Sequence, residues 1–154
     1  SGIRAGDITL AQVFEVLPFT DTMATLQLTG EKVRQLLEFS VSRAEDPRNE
    51  GTGRFLQFAG LKFTWDPDRP VGSRVVDVQI QNDDGSYSPL NEYDVYNIAT
   101  SGFLRGGGDG YRILVEDAIN PYDFGRVISD VFVEYIELKS PIAPRVEGRI
   151  TRVQ

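Results

Sequence analysis

Between Thr100 and Tyr111 the sequence runs Thr-Ser-Gly-Phe-Leu-Arg-Gly-Gly-Gly-Asp-Gly-Tyr, with four glycines inside the five residues 106–110. Glycine loses more conformational freedom on folding than any other residue. A density of this kind is unfavourable unless the backbone must turn left-handed or pass very close to another group. The stretch follows Tyr93–Thr100, whose Tyr, Val, Tyr and Ile fit a strand. The chain therefore leaves a strand end through a glycine-rich segment carrying Phe103, Arg105 and Asp109, an arrangement suited to a ligand loop. A mobile surface loop is the competing reading.

The remaining elements can be read around that segment. Thr9 to Gln12 is a capping-box pattern, and Leu10, Val13, Phe14 and Leu17 fall at helical spacing until Pro18. Thr22 to Thr29 alternates, with Ala24, Leu26 and Leu28 on one side, and reads as a strand. Thr29 then caps a helix to about Ser42 whose buried face carries Val33, Leu36, Leu37 and Val41. Residues 44–53 are polar and turn-forming. Two strand pieces are expected at Phe55–Phe58 and Leu61–Trp65, either side of a bend at Ala59-Gly60. A further strand is expected over Arg74–Gln81 with Val76, Val78 and Ile80 inward, followed by a hairpin turn at Asn82–Gly85. Ile113–Ile119 reads as a short helix ended by Asn120-Pro121. Gly125–Lys139 reads as a longer helix capped by Asp123, and Val146–Val153 as a closing strand. Interleaved elements without strict βαβ repetition predict a single α+β domain over residues 1–154, a mixed β-sheet flanked by helices.

Composition removes whole classes of chemistry. The 154 residues include no histidine and no cysteine, which excludes Ser-His and Cys-His nucleophiles, an imidazole base, zinc on His or Cys ligands, and disulfides. A net charge of −7 argues against a binder of nucleic-acid polymers. No apolar run approaches membrane-spanning length, and no basic-then-apolar start marks a signal peptide. The dinucleotide fingerprint fails because Tyr111 stands where its third glycine belongs, and no P-loop Gly-Lys-Ser/Thr occurs. Asn82-Asp83-Asp84-Gly85 lacks the alternating acids and terminal glutamate of a calcium loop, so it is read as a turn.

Four motifs in compatible order carry a resemblance: Gly2-Ile3-Arg4, Leu17-Pro18-Phe19, Phe103-Leu104 with Gly106-Gly107-Gly108-Asp109-Gly110, and Val146-Glu147-Gly148-Arg149-Ile150. Together they are similar to the C-terminal domain of the 5′-nucleotidase family, which includes ecto-5′-nucleotidases and bacterial periplasmic UDP-sugar hydrolases. In that family an N-terminal metallophosphoesterase domain holds two divalent metal ions and the catalytic His-Asp pair, and the C-terminal domain binds the nucleotide. The resemblance implies that this chain is the substrate-recognition part of such a hydrolase, not catalytic by itself, in a periplasmic, secreted or cell-surface parent. Its partners are then a nucleotide or nucleoside and the N-terminal domain of the same parent chain. Any metal would lie on that other domain.

By position, Phe19 and Phe103 match the two rings that sandwich the base, Asp109 the carboxylate that accepts from ribose hydroxyls, and Arg4 an arginine that reaches phosphate and sugar. Gly107 and Gly108 would let backbone pass close to the ligand. Stacking on two rings suits a planar base of any identity, and one carboxylate can accept both hydrogens of a vicinal diol. A guanidinium offers a permanently charged fork to phosphate. The alternatives at this stage are that Phe19 is simply core, that Asp109 only shapes a turn, and that Arg4 is a terminal surface charge. For the whole chain they are a non-catalytic nucleoside-binding or adhesin-like module, or a purely structural domain.

Overall fold

A computed structural model describes residues 3–45 and 53–153. The motif residue Gly2 and most of the polar stretch 44–53 lie outside the described residues. The chain begins with helix α1, Leu10–Val16, closed at its start by the reciprocal Thr9–Gln12 capping box. Of its apolar positions only Val13 is buried, and Leu10 and Phe14 remain exposed. Strand β1, Met23–Thr29, follows, with Ala24, Leu26 and Leu28 all buried as the alternation predicts. Helix α2, Gly30–Val41, starts where the Thr29 hydroxyl accepts from Lys32 N and buries Val33, Leu36, Leu37 and Val41.

Two sheets flank this helix. The first is antiparallel, with β1 at its centre between β5, Val95–Ser101, and β6, Ile119–Tyr122. The second has the order β4-β3-β2-β7: Tyr87–Pro89, Val75–Gln81, Leu61–Trp65 and Ile150–Arg152. It is mixed, because β2 and β7 run parallel while its other pairs are antiparallel. Helix α2 packs against β1 and β5 of one sheet and β3 of the other, so one apolar cluster runs from Leu26 and Leu28 through Leu37 to Phe63, Trp65 and Val78. Each such side chain contributes about 1.5–3 kcal/mol through burial. Polar bonds fix the helix against the second sheet: Glu38 accepts from Arg74 N and Val75 N, and Arg74 Nη1 donates to the carbonyls of Val41, Ser42 and Ala44. The carbonyl of Val41, the last helical residue, and those of Ser42 and Ala44 just beyond it thereby gain a donor.

The α+β class is as the sequence reading had it, and several local expectations are corrected. Phe55–Phe58 is not a strand. Leu56 N donates to the Ser40 hydroxyl at 2.9 Å and Phe58 O accepts from Arg149 Nη1 at 2.5 Å, so side chains hold this backbone instead of a ladder. In β3 it is Val75 and Val78 that are buried while Val76 is exposed. Thr64 pairs with Asp77 but Trp65 with Val75, and this bulge at Val76 slips the alternation by one residue. The helix expected over 113–119 stops early: helix α4 covers only Ile113–Glu116, and Asn120-Pro121 lies inside β6. Pro121 is tolerated there because β6 is an edge strand, and Asn120 takes a left-handed φ of 47° where the register shifts. Helix α5 is Ile128–Lys139 without a side-chain cap, so Asp123 is not its cap. The closing strand is confined to β7.

Candidate functional site

The start of β1 and the end of β5 lie side by side, with Met23 opposite Ser101 and Gly102 N donating to Thr22 O at 2.8 Å. From this end β5 runs directly into helix α3, Gly102–Arg105, capped by the Ser101 hydroxyl, which accepts from Leu104 N. The glycine-rich stretch is thus one helical turn followed by a 3-10 turn at Gly108–Gly110. Asp21 joins its two flanks. Its Oδ2 accepts from Phe103 N at 3.2 Å and its Oδ1 from Thr22 N at 2.8 Å, while a Cβ on Gly102 would stand 2.8 Å from the same carboxylate. Ile128 N donates to Asp21 O and Met23 N to Arg126 O, which brings the segment before α5 to the same end.

Phe19 and Phe103 both project from this end and both lie outside the core: Phe19 is 84% exposed and Phe103 57% exposed. Phe19 precedes Asp21 by two residues, and Phe103 is the residue whose amide Asp21 binds. Among the described residues neither ring stacks on the other. The reading of Phe19 as core is therefore excluded. The Phe103 ring lies over the Gly108 backbone, where a Cβ would come within 2.4 Å of Phe103 Cε1. Gly107 supplies a φ of 89°, which β-carbon sterics disfavour in other residues.

Asp109 has a φ of 53°, a left-handed conformation that aspartate tolerates better than most residues. Its side chain is exposed and makes no hydrogen bond or ion pair with the described residues, leaving both carboxylate oxygens available. The turn carrying it is anchored immediately behind. Tyr111 is 0% exposed, packs edge-on against Phe39 with centroids 4.9 Å apart, and donates from its hydroxyl to Arg54 O at 2.5 Å. Burial pushes its phenol up to about 12, opposed by the Ser40 hydrogen bond and the Arg54 charge and assisted by the nearby Asp109 charge. This seating in the core is not that of a free surface loop.

Arg4 precedes α1, is exposed, and makes no hydrogen bond or ion pair with the described residues; the pairings that gather the other groups do not extend to it. Arg105 is largely enclosed instead. Its Nη1 donates to Leu114 O at 2.7 Å, and its Nε lies 3.1 Å from Asp123 Oδ1 but off the hydrogen-bond direction. Sequence reasoning did not single out Asp21, and it read Asp123 only as a helix cap. Asp21 stands two residues beyond Phe19, a visible signal, but its bond to Phe103 spans 82 positions. Among the described residues no three acidic side chains converge as a metal site.

Comparison with known proteins gives a consistent outcome. The family model described as 5′-nucleotidase, C-terminal domain, matches residues 1–116. The chain is 38% identical over 154 residues to the trifunctional nucleotide phosphoesterase protein YfkN of Bacillus subtilis (strain 168), covering 99% of this chain and 10% of that protein. It is 36% identical over 148 residues to a snake venom 5′-nucleotidase of Gloydius brevicauda, covering 94% of this chain and 24% of that protein. Its fold matches the crystal structure of the 5′-nucleotidase precursor from Thermus thermophilus with a TM-score of 0.85 and 36% identity, covering 95% of this chain and 28% of that one. The chain thus spans no more than 28% of any of these three proteins.

Proposed function

The chain belongs to the 5′-nucleotidase C-terminal domain family, and on that premise we propose that it recognises the nucleotide for a phosphohydrolase whose metal-bearing domain is a separate part of the same parent. The observation that carries the reading is the pair of exposed rings, Phe19 and Phe103, at one end of the β1–β5 ladder. A planar base entering between them gains dispersion and quadrupole contacts on both faces with little dependence on its identity. Asp109, without a protein partner among the described residues, accepts from the two ribose hydroxyls. Gly108 has no side chain to collide with the Phe103 ring, and Gly107 supplies the left-handed backbone that leads into the turn carrying Asp109. Arg4 meets the phosphate by charge.

The chemistry of hydrolysis belongs elsewhere in this account. Two divalent metal ions on the N-terminal metallophosphoesterase domain would supply Lewis acidity, and this chain's own residues bind and orient the nucleoside. Periplasmic, secreted or cell-surface location of the parent, and UDP-sugars among its substrates, are part of the same proposal.

Calorimetry on this chain tests it. Adenosine and AMP are expected to bind weakly and alike, the phosphate adding about 1 kcal/mol or less through one exposed arginine. No phosphate is expected to be released from AMP with any divalent metal. Binding of neither compound would remove the recognition role, and metal-dependent phosphate release by this chain would overturn its division from the chemical step.

A further inference from the structure

Against the turn at Gly108–Gly110 lies a cation that recognition of base and ribose leaves unused. Arg54 stacks its guanidinium on the Phe39 ring of α2, with the central carbon 4.1 Å from the ring centroid, inside the reach of about 6 Å for a cation–π contact. Its Nη1 donates to Ser42 Oγ at 3.4 Å, and that hydroxyl donates in turn to Phe39 O at 2.7 Å, so the fork is keyed to the C-terminal end of α2. Its Nε is buried without a hydrogen-bond partner among the described residues, and no described carboxylate forms an ion pair with it. Burial of a cationic nitrogen without a hydrogen bond costs stability. An apolar side chain would fill the same space without that cost, so packing alone does not account for an arginine here.

The guanidinium reaches the glycine turn itself. A Cβ on Gly110 would stand 3.2 Å from Phe39 Cζ and 3.6 Å from Arg54 Nη2, so ring edge and fork together form the floor on which Gly110 rests. Gly110 directly follows Asp109, and both are left-handed, with φ of 53° at Asp109 and 87° at Gly110. Such a conformation is unfavourable for a residue with a side chain and persists where its surroundings hold it. The Arg54 carbonyl accepts from the Tyr111 hydroxyl, so one residue supports Gly110 with its side chain and Tyr111 with its main chain. Arg54 and Asp109 both lie close enough to that hydroxyl for their charges to act on it.

We propose that Arg54 is a positioning residue for ribose recognition: its guanidinium, fixed on the Phe39 ring, holds the turn at Gly110 so that the Asp109 carboxylate meets both hydroxyls of a vicinal diol. The inference rests on the reading of Asp109 as the ribose acceptor and deepens it. Arg54 itself touches no part of the nucleoside in this arrangement. Substituting its side chain leaves its carbonyl, and hence the Tyr111 anchor, in place, so the contribution of the guanidinium can be isolated.

The test is calorimetry on this chain with adenosine and 2′,3′-dideoxyadenosine, which lacks both ribose hydroxyls, with the unfolding midpoint taken on each sample. The wild type is expected to bind adenosine about tenfold or more tightly than the dideoxy compound, as hydrogen bonds to a charged acceptor provide, and Asp109→Ala to remove that preference. Arg54→Ala and Arg54→Met are each expected to reduce it to about threefold or less, because hydrogen bonds weaken steeply when misdirected. Arg54→Met keeps an apolar stem against Phe39 without the charged fork, which secures the result if the alanine variant folds poorly. A merely structural role would weaken both nucleosides in proportion and leave the preference as in the wild type. If the preference persists in a folded Arg54 variant while Asp109→Ala removes it, the positioning role is refuted and the ribose reading stands. If the wild type shows no preference, or Asp109→Ala leaves it intact, the ribose reading has failed and the positioning role fails with it.

Discussion

Gly108→Ala separates the ligand role of Phe103 from any packing role. The new Cβ would lie 2.4 Å from Phe103 Cε1, 2.5 Å from Cζ and 2.6 Å from Cδ1. Carbon atoms pack at about 3.5–4.0 Å, so roughly an ångström of overlap must be relieved. The backbone at 108 is held, because its carbonyl accepts from Tyr111 N at 3.1 Å and Tyr111 is locked in the core. The exposed ring is the part free to move. Rotating it away costs little stability, and alanine regains about 0.4–1 kcal/mol by restricting the unfolded chain, so the unfolding free energy should change by less than about 1 kcal/mol. Nucleoside binding loses one stacking face, about 1–3 kcal/mol, or roughly 5- to 150-fold in Kd. Calorimetry with adenosine and a thermal melt read both quantities. In a Phe103→Ala background the same change should have no further effect on affinity, since the two lesions share one cause. Unchanged affinity in the single variant would refute the reasoning. So would a stability loss of about 3 kcal/mol, which would place the ring in the core.

Two further outcomes follow from groups behind the turn. Tyr111 titrates near 10 when unfolded and at about 12 when folded, so the folded state holds its proton more tightly; that stabilisation is complete below pH 10 and is lost as pH rises toward 12, by no more than about 2.7 kcal/mol. Denaturant melts of the wild type against Tyr111→Phe across this window check it, since the variant should lack this component of the slope. Asp21→Ala removes the acceptor for Phe103 N and Thr22 N, and should cost about 1 kcal/mol of stability and also weaken nucleoside binding, because the Phe103 backbone loses its tie to the Phe19 segment. Unaltered affinity would show that Phe103 is positioned without it.

The sequence was most informative where local rules and burial agree. The Thr9 capping box and the Thr29 cap fold as their spacing predicts, and the Ala24, Leu26, Leu28 alternation becomes the buried face of β1. It misled where a long-range partner decides the local form. Val76 turns outward because a bulge against Trp65 shifts the phase of β3, and Asn120-Pro121 enters an edge strand because β1 offers a free side. Ser40 and Arg149, distant in sequence, hold 55–58 as irregular chain. At the candidate site, the family resemblance pointed to Phe19, Phe103 and Asp109, and the exposure of the two rings excludes their reading as core. What sequence did not disclose was the framework beneath: Asp21 tying the two aromatic segments, Tyr111 pinning the turn, and the Arg105–Asp123 bridge. Each joins segments that only the fold brings together.

The central claim is that one base lies between Phe19 and Phe103. Its most direct measurement is adenosine affinity, with the unfolding midpoint taken on the same samples, for Phe19→Ala, Phe103→Ala and the double variant. Each single change is expected to weaken binding by about 1–3 kcal/mol with little loss of stability, because both rings are exposed. The double variant is expected to lose less than the sum, since a base deprived of one face is less ordered by the other. Unchanged affinity in both single variants, with stability falling by about 3–5 kcal/mol as for a buried phenylalanine, would contradict the account.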